Sequence, residues 1–183
     1  MKNLCIVFPG RKYSCDRSLL YFPSKLLEQR GYEMIYLHYN IEKEEDDNRP
    51  TEEIVAEAED YLNARLAGYD FSSYDQIIFL SKSVGTLIAA RTEIKIGTKN
   101  IFNIFITPID ETLEYIKNKD LIICGDQDQF FPDSRKKLAP FSNTYIFPKF
   151  SHSLESKSDY HLTIKTINDV VSVIDVYIAS LSE

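Results

Sequence analysis

Apolar residues follow two alternating rhythms along the chain. Runs at 4–8, 34–37, 77–80, 101–106 and 121–124 are apolar at nearly every position, which suits strands covered on both faces. A further run at 143–148, Asn143-Thr144-Tyr145-Ile146-Phe147-Pro148, predicts a last strand. Between these runs the spacing turns helical. Apolar positions 19, 20, 22, 26 and 27 predict a helix over 16–30, with Pro23 near its first turn or at a kink and Gly31 as its left-handed stop. After Pro50, positions 54, 55, 58, 61, 62 and 66 trace one helical face that ends at Gly68. Residues 86–90 are apolar all round, as in a helix packed centrally on a sheet, and 111–117 predict a short helix. Positions 164, 167, 170, 171, 174, 177, 178 and 181 mark a long amphipathic helix beginning at Asp159. Strands alternating with helices predict an α/β chain: a three-layer α/β/α sandwich around a predominantly parallel sheet of about six strands. The carboxyl ends of parallel strands share one edge, where ligands bind in such sheets.

Composition narrows the classes. The chain has 183 residues, enough for one substantial core and too few for two ordinary domains, so residues 1–183 are expected to form a single domain. An apolar fraction of 44% with 13% aromatic residues is that of a globular protein. A net charge of -7 without a basic stripe argues against a nucleic-acid partner. The apolar run at 4–8 is stopped by Pro9-Gly10, too short for a signal-peptide core or a membrane span, so a cytoplasmic location and no membrane partner are expected. Cys5, Cys15 and Cys124 lack metal-like spacing and read as packing residues, which leaves neither a disulfide framework nor a metal site to expect. The acidic run 42–48 reads as a solvated loop, and His38 as a packing residue at a strand end. The oligomeric state is left open.

The chemistry gathers where the strand at 77–80 meets the helix at 86–90. Ser83 sits at the apex of that junction, the context of a nucleophile elbow, in which a strained strand-to-helix turn lifts a serine hydroxyl above the sheet edge. Gly85 would let the backbone pass close to the strand it has just left. The helix start offers unpaired N–H groups, so an oxyanion forming at Ser83 would meet the N–H of Val84.

This stretch resembles the elbow of the α/β hydrolases, which reads G-x-S-x-G. Here it is Ser81-Lys82-Ser83-Val84-Gly85, with serine in place of the first glycine. The resemblance covers almost the whole chain and implies a minimal, lidless member, of the small esterase or dienelactone-hydrolase kind, without antiparallel N-terminal strands. It implies that the loop after the first strand carries the second oxyanion donor. Gly10 would shape that loop and Arg11 would supply its N–H. The acid is expected after the strand at 121–124; glycine, acid three residues on and proline four beyond select Asp128 over Asp126 in Gly125-Asp126-Gln127-Asp128. The family's histidine occupies the loop after the last strand, as in His152-Ser153-Leu154-Glu155, with His161 in reserve.

On this reading Ser83 is the nucleophile, His152 its base and Asp128 the group that orients the imidazole, in the family's order Ser, Asp, His. Lys82, Tyr13, Pro108 and Phe130 are candidate pocket residues. Lys82 would either favour an anionic substrate or pair with a carboxylate at the sheet edge. Only about a dozen residues separate the strands at 101–106 and 121–124, too few for a lid, so an open and shallow pocket for a small acyl substrate is expected. The expected function is serine-dependent cleavage of an ester, thioester or amide through an acyl-enzyme, with no cofactor. The rival is a non-catalytic binding or interaction protein on the same fold, favoured by Ser81. A dinucleotide-binding domain lacks its G-x-G-x-x-G fingerprint here.

Overall fold

The structure, a computed structural model, describes residues 1–39, 49–131, 137, 138 and 140–181. The acidic run at 42–48 and Pro132 lie outside the described residues. Strands β1 (Asn3–Phe8), β2 (Tyr32–Tyr36), β3 (Gln76–Ser83), β4 (Ile101–Pro108), β5 (Leu121–Gly125) and β6 (Thr144–Phe147) form one sheet in the order β2-β1-β3-β4-β5-β6. Every pairing is parallel. Helices α1 (Ser18–Gln29) and α4 (Tyr160–Ser180) cover one face, and α2 (Thr51–Arg65) and α3 (Val84–Ile96) the other. The architecture is the three-layer α/β/α sandwich expected from the alternating rhythm.

Each strand sends successive side chains to opposite faces, and here both faces are covered. Leu4, Ile6 and Phe8 of β1 pack with α2 and α3, while Cys5 and Val7 pack with α1 and α4. Ile77 and Phe79 of β3 join the first group, Ile78 and Leu80 the second. With a core on each face, a polar residue is admitted only where it finds a partner, as Ser81 and Asn103 do, which is why these runs show no polar alternation. Cys5, Cys15 and Cys124 are all buried and unbridged. Among the described residues no helix is long and apolar enough to cross a membrane.

Several elements depart from the sequence pattern. Helix α1 starts at Ser18 and turns Pro23 inward, so the adjacent Tyr21 and Phe22 face outward and meet edge to face. In α4 the buried positions include Thr163 and Thr166, while Ile164 is half exposed. Threonine is tolerated inside because each hydroxyl donates to a carbonyl one turn back, of Asp159 and Leu162 respectively. The segment expected as a short helix is a 3-10 turn, Asp110–Tyr115, closed by i to i+3 bonds such as Thr112 N–H to the Ile109 carbonyl. His38 lies beyond β2 with its side chain exposed, because the inward positions there belong to Leu37 and Tyr39.

Two glycines set the close approaches that bring loops together at the carboxyl edge. A Cβ at Gly85 would lie 2.4 Å from the Pro9 carbonyl oxygen and 2.6 Å from that of Phe8. The crowding therefore comes from the end of β1, the sheet neighbour of β3, rather than from the strand just left. A Cβ at Gly125 would lie 2.1 Å from the Phe150 carbonyl oxygen. There the chain leaving β6 crosses the end of β5, and Gln127 N–H donates to the same carbonyl at 2.9 Å.

Two substitutions test this packing. Phe79, fully buried and 4.9 Å from Phe8 between ring centroids, should cost about 3–5 kcal/mol when changed to alanine, read as a lowered urea midpoint. Gly125→Ala should cost about 2 kcal/mol, because its obstacle is backbone and has no rotamer to change. An unchanged midpoint in either variant contradicts the packing described.

Candidate active site

Ser83 ends β3 and caps α3 with φ 55 and ψ -131, a conformation that L-residues with a Cβ rarely hold. The register between β3 and β4 shifts at Lys82/Ser83, so the strand breaks where the hydroxyl must rise from the sheet edge. Surrounding contacts hold the turn. Thr86 Oγ1 donates to the Ser83 carbonyl at 2.6 Å, and Thr86 meets Thr112 at 2.8 Å. Ser81, where the motif has glycine, is fully buried and donates to the Ile104 carbonyl at 3.1 Å. Its hydroxyl is thus accommodated without reaching the site.

Ser83, His152 and Asp128 stand in a row. Ser83 Oγ lies 2.8 Å from His152 Nε2, and His152 Nδ1 lies 2.8 Å from Asp128 Oδ2. A carboxylate only accepts, so the imidazole carries its proton on Nδ1 and turns the Nε2 lone pair to the serine. Asp128 is buried, and its other oxygen accepts the Phe130 N–H at 2.9 Å. The Phe130 ring meets the imidazole edge on, with centroids 4.8 Å apart. Burial pushes the His152 pKa below the ordinary value; Asp128 pulls it up, and the Lys82 charge pushes it down.

The two aspartates after β5 divide their work. Asp126 is exposed, and its carboxylate accepts the Lys149 N–H at 2.6 Å while its own N–H donates to Phe147. It ties down the loop that carries His152. Lys149 and Leu154, both at positive φ, bracket that loop. His161 is exposed in the first turn of α4.

The loop after β1 closes on itself: Gly10 and Tyr13 exchange backbone hydrogen bonds at 3.0 and 3.2 Å. A Cβ on Gly10 would sit 3.0 Å from the Ser83 Cβ, so this glycine lies against the elbow. Arg11 and Tyr13 line a cleft of about 400 Å³ with Lys82, Ser83, His152 and the polar loop residues Gln127, Gln129, Ser151, Ser153 and Lys157. A larger groove of about 730 Å³ lies beside it and shares Gln127, Ser151 and Lys157. Val84 opens α3, where an N–H has no acceptor within the helix. Pro108 does not reach the cleft wall; it is buried as the register partner of Ser83 between β3 and β4.

Lys82 lines the cleft, as expected of a pocket residue, but not as the partner of a carboxylate. It is buried beneath the cleft, and its Nζ donates to Thr107 Oγ1 at 3.0 Å and to the His152 carbonyl at 3.2 Å, over the Tyr13 ring at 4.6 Å. Its short-range partners are a hydroxyl, a carbonyl and a ring, and no direct pairing with a carboxylate is seen among the described residues. Burial lowers its pKa to about 8. Thr107 and the polar wall residues carry no periodic signal in the sequence, being loop and strand-end positions. Among the described residues no group of three or more His, Cys, Asp or Glu is placed to hold a metal ion.

No family model and no curated protein matches this sequence. Solved structures do resemble it. A protein from Xanthomonas campestris pv. campestris, assigned to the α/β-hydrolase superfamily, superposes with a TM-score of 0.69 at 12% identity over 98% of this chain and 99% of that one. A lidless α/β serine hydrolase from Xanthomonas campestris gives 0.65 at 12% identity, over 98% and 82%. An α/β serine hydrolase homologue from Coxiella burnetii gives 0.61 at 17% identity, over 93% and 84%. Sheet order, elbow and these neighbours agree that the chain has the fold of the α/β hydrolases.

Proposed function

We propose that this protein is a serine hydrolase that cleaves an ester, thioester or amide of a small acyl substrate. The observation that carries the reading is the unbroken hydrogen-bonded row from Asp128 through His152 to Ser83. Such a row has an elementary chemical use. A serine hydroxyl is a weak nucleophile until a base takes its proton during attack.

In the reaction Ser83 Oγ forms a bond to the substrate carbonyl carbon as its proton passes to His152 Nε2. The carbonyl π electrons move to oxygen. That oxyanion is held by the N–H of Val84 at the start of α3 and by the N–H of Arg11 in the Gly10 loop. Collapse expels the leaving group, which takes the proton from His152 and leaves an acyl-Ser83. Water then attacks, gives a proton to the same imidazole and releases the acid, while Ser83 recovers its hydrogen. Asp128 fixes the tautomer and favours the imidazolium at both transfers. A cleft of about 400 Å³ walled by Tyr13, Gln129 and Ser153 suits a short acyl group. The fold shared with a lidless α/β serine hydrolase supports the hydrolase reading.

A fluorophosphonate probe should label Ser83, and Ser83→Ala should abolish the label. His152→Ala should lower turnover of a small aryl ester on the order of 10⁴-fold or more while the thermal melt is kept. A folded protein that takes no label at Ser83 would instead be a binding protein.

The pH profile gives a second test. His152 must be neutral to accept a proton, and its pKa lies below the ordinary 6.5, so the neutral form persists into mild acid. The acid limb of kcat/KM should therefore have its midpoint below 6.5. A midpoint above that value contradicts the assigned environment.

A further inference from the structure

We propose that Lys82 is a positioning residue that ties together the three loops of the site; this rests on the hydrolase reading. Its ammonium has three donors. One reaches Thr107 Oγ1 at the end of β4, one reaches the backbone carbonyl of His152, and the charge sits over the ring of Tyr13 in the loop after β1. The residue itself stands next to Ser83 in the elbow. One side chain thus touches the loop after β1, the end of β4 and the loop of His152, while standing in the elbow itself.

The location is a costly one for a cation. Burying an ammonium is unfavourable, and an apolar side chain of like volume usually serves packing as well or better. Lys82 is only 2% exposed. Methionine would fill much the same space on the face that Ile78 and Leu80 share. What methionine cannot do is hold the His152 carbonyl, whose position fixes the imidazole between Asp128 and Ser83.

The charge also acts on the imidazole. The groups facing Lys82 are the carboxylates of Asp128 and Glu155, the His152 imidazole and the Tyr13 ring. His152 in turn faces Asp128, Lys82 and the Phe130 ring. Among these Lys82 is the group whose charge lowers the His152 pKa, and the Asp128 carboxylate raises it. Position and charge therefore work on one histidine.

The experiment compares the wild type with Lys82→Met and Thr107→Val. The rate of fluorophosphonate labelling at Ser83, the kcat and KM for an aryl ester, and the NMR titration of the His152 imidazole are measured. The melting temperature of each variant establishes that it is folded. Lys82→Met should keep KM, lose on the order of 100-fold in kcat, and raise the midpoint of the His152 titration and of the acid limb together. Thr107→Val should lose less in kcat and leave the titration in place, since it removes an acceptor and no charge. A folded Lys82→Met with wild-type kcat and an unmoved titration overturns the role of Lys82 and leaves the hydrolase reading intact. A wild type that never labels overturns the hydrolase reading. In that case the titration alone decides for Lys82: a raised midpoint supports its hold on His152, and an unmoved one removes it. If Lys82→Met fails to fold, a smaller kcat loss in Thr107→Val supports the clamp, and wild-type kcat there overturns it.

Discussion

The site depends on one crossing. Ser83 ends β3, but His152 follows β6, three places further along the sheet, so the chain must travel back over the end of β5 to present its imidazole. It does so at van der Waals limits. The Phe150 carbonyl passes so close to Gly125 that a side chain there would occupy the same space. Hydrogen bonds from Gln127 to Phe150, from Asp126 to Phe147 and from Lys149 to the Asp126 carboxylate then fix the crossing segment. The acid loop and the histidine loop behave as one unit, which brings Asp128 to 2.8 Å from His152.

The opposite wall is built on the same plan. Gly85 lies against the carbonyls of Phe8 and Pro9, and Gly10 lies against Ser83. The elbow and the loop after β1 are thus held within contact distance of each other. The strain at Ser83 is on the order of 1–3 kcal/mol for such a backbone conformation. It is sustained because β3 is buried on both faces and α3 is buried nearly all round, giving the turn no room to relax.

Beneath these walls lies a charge taken out of water. Lys82, Asp128 and His152 form a small buried electrostatic set in which burial pushes both bases toward their neutral forms. Asp128 offsets that push at both. The exposed ion pairs elsewhere, such as Lys165 with Asp169, are of the solvated kind that contributes little.

Much of this was legible in the order of residues. Apolar runs without alternation specified strands covered on both faces, because a strand with two cores has no polar face to show. The elbow spacing marked Ser83, and the positions of Asp128 and His152 after later strands placed all three at one edge. Other features have no one-dimensional trace. Ser81 in place of glycine is explained only by the β4 carbonyl that accepts its hydroxyl. The family spacing selects Asp128 over Asp126, but only the crossing loop shows what Asp126 does: it accepts a backbone amide while Asp128 meets the imidazole. Lys82 reads as a pocket charge or a partner of a carboxylate; it does line the cleft, but tertiary contact gives it a hydroxyl, a carbonyl and a ring as short-range partners. The division has a physical cause: burial and turn chemistry are local and recur with the period of the backbone, whereas the partner of a polar group is chosen by whichever distant segment folding brings within 3 Å or so.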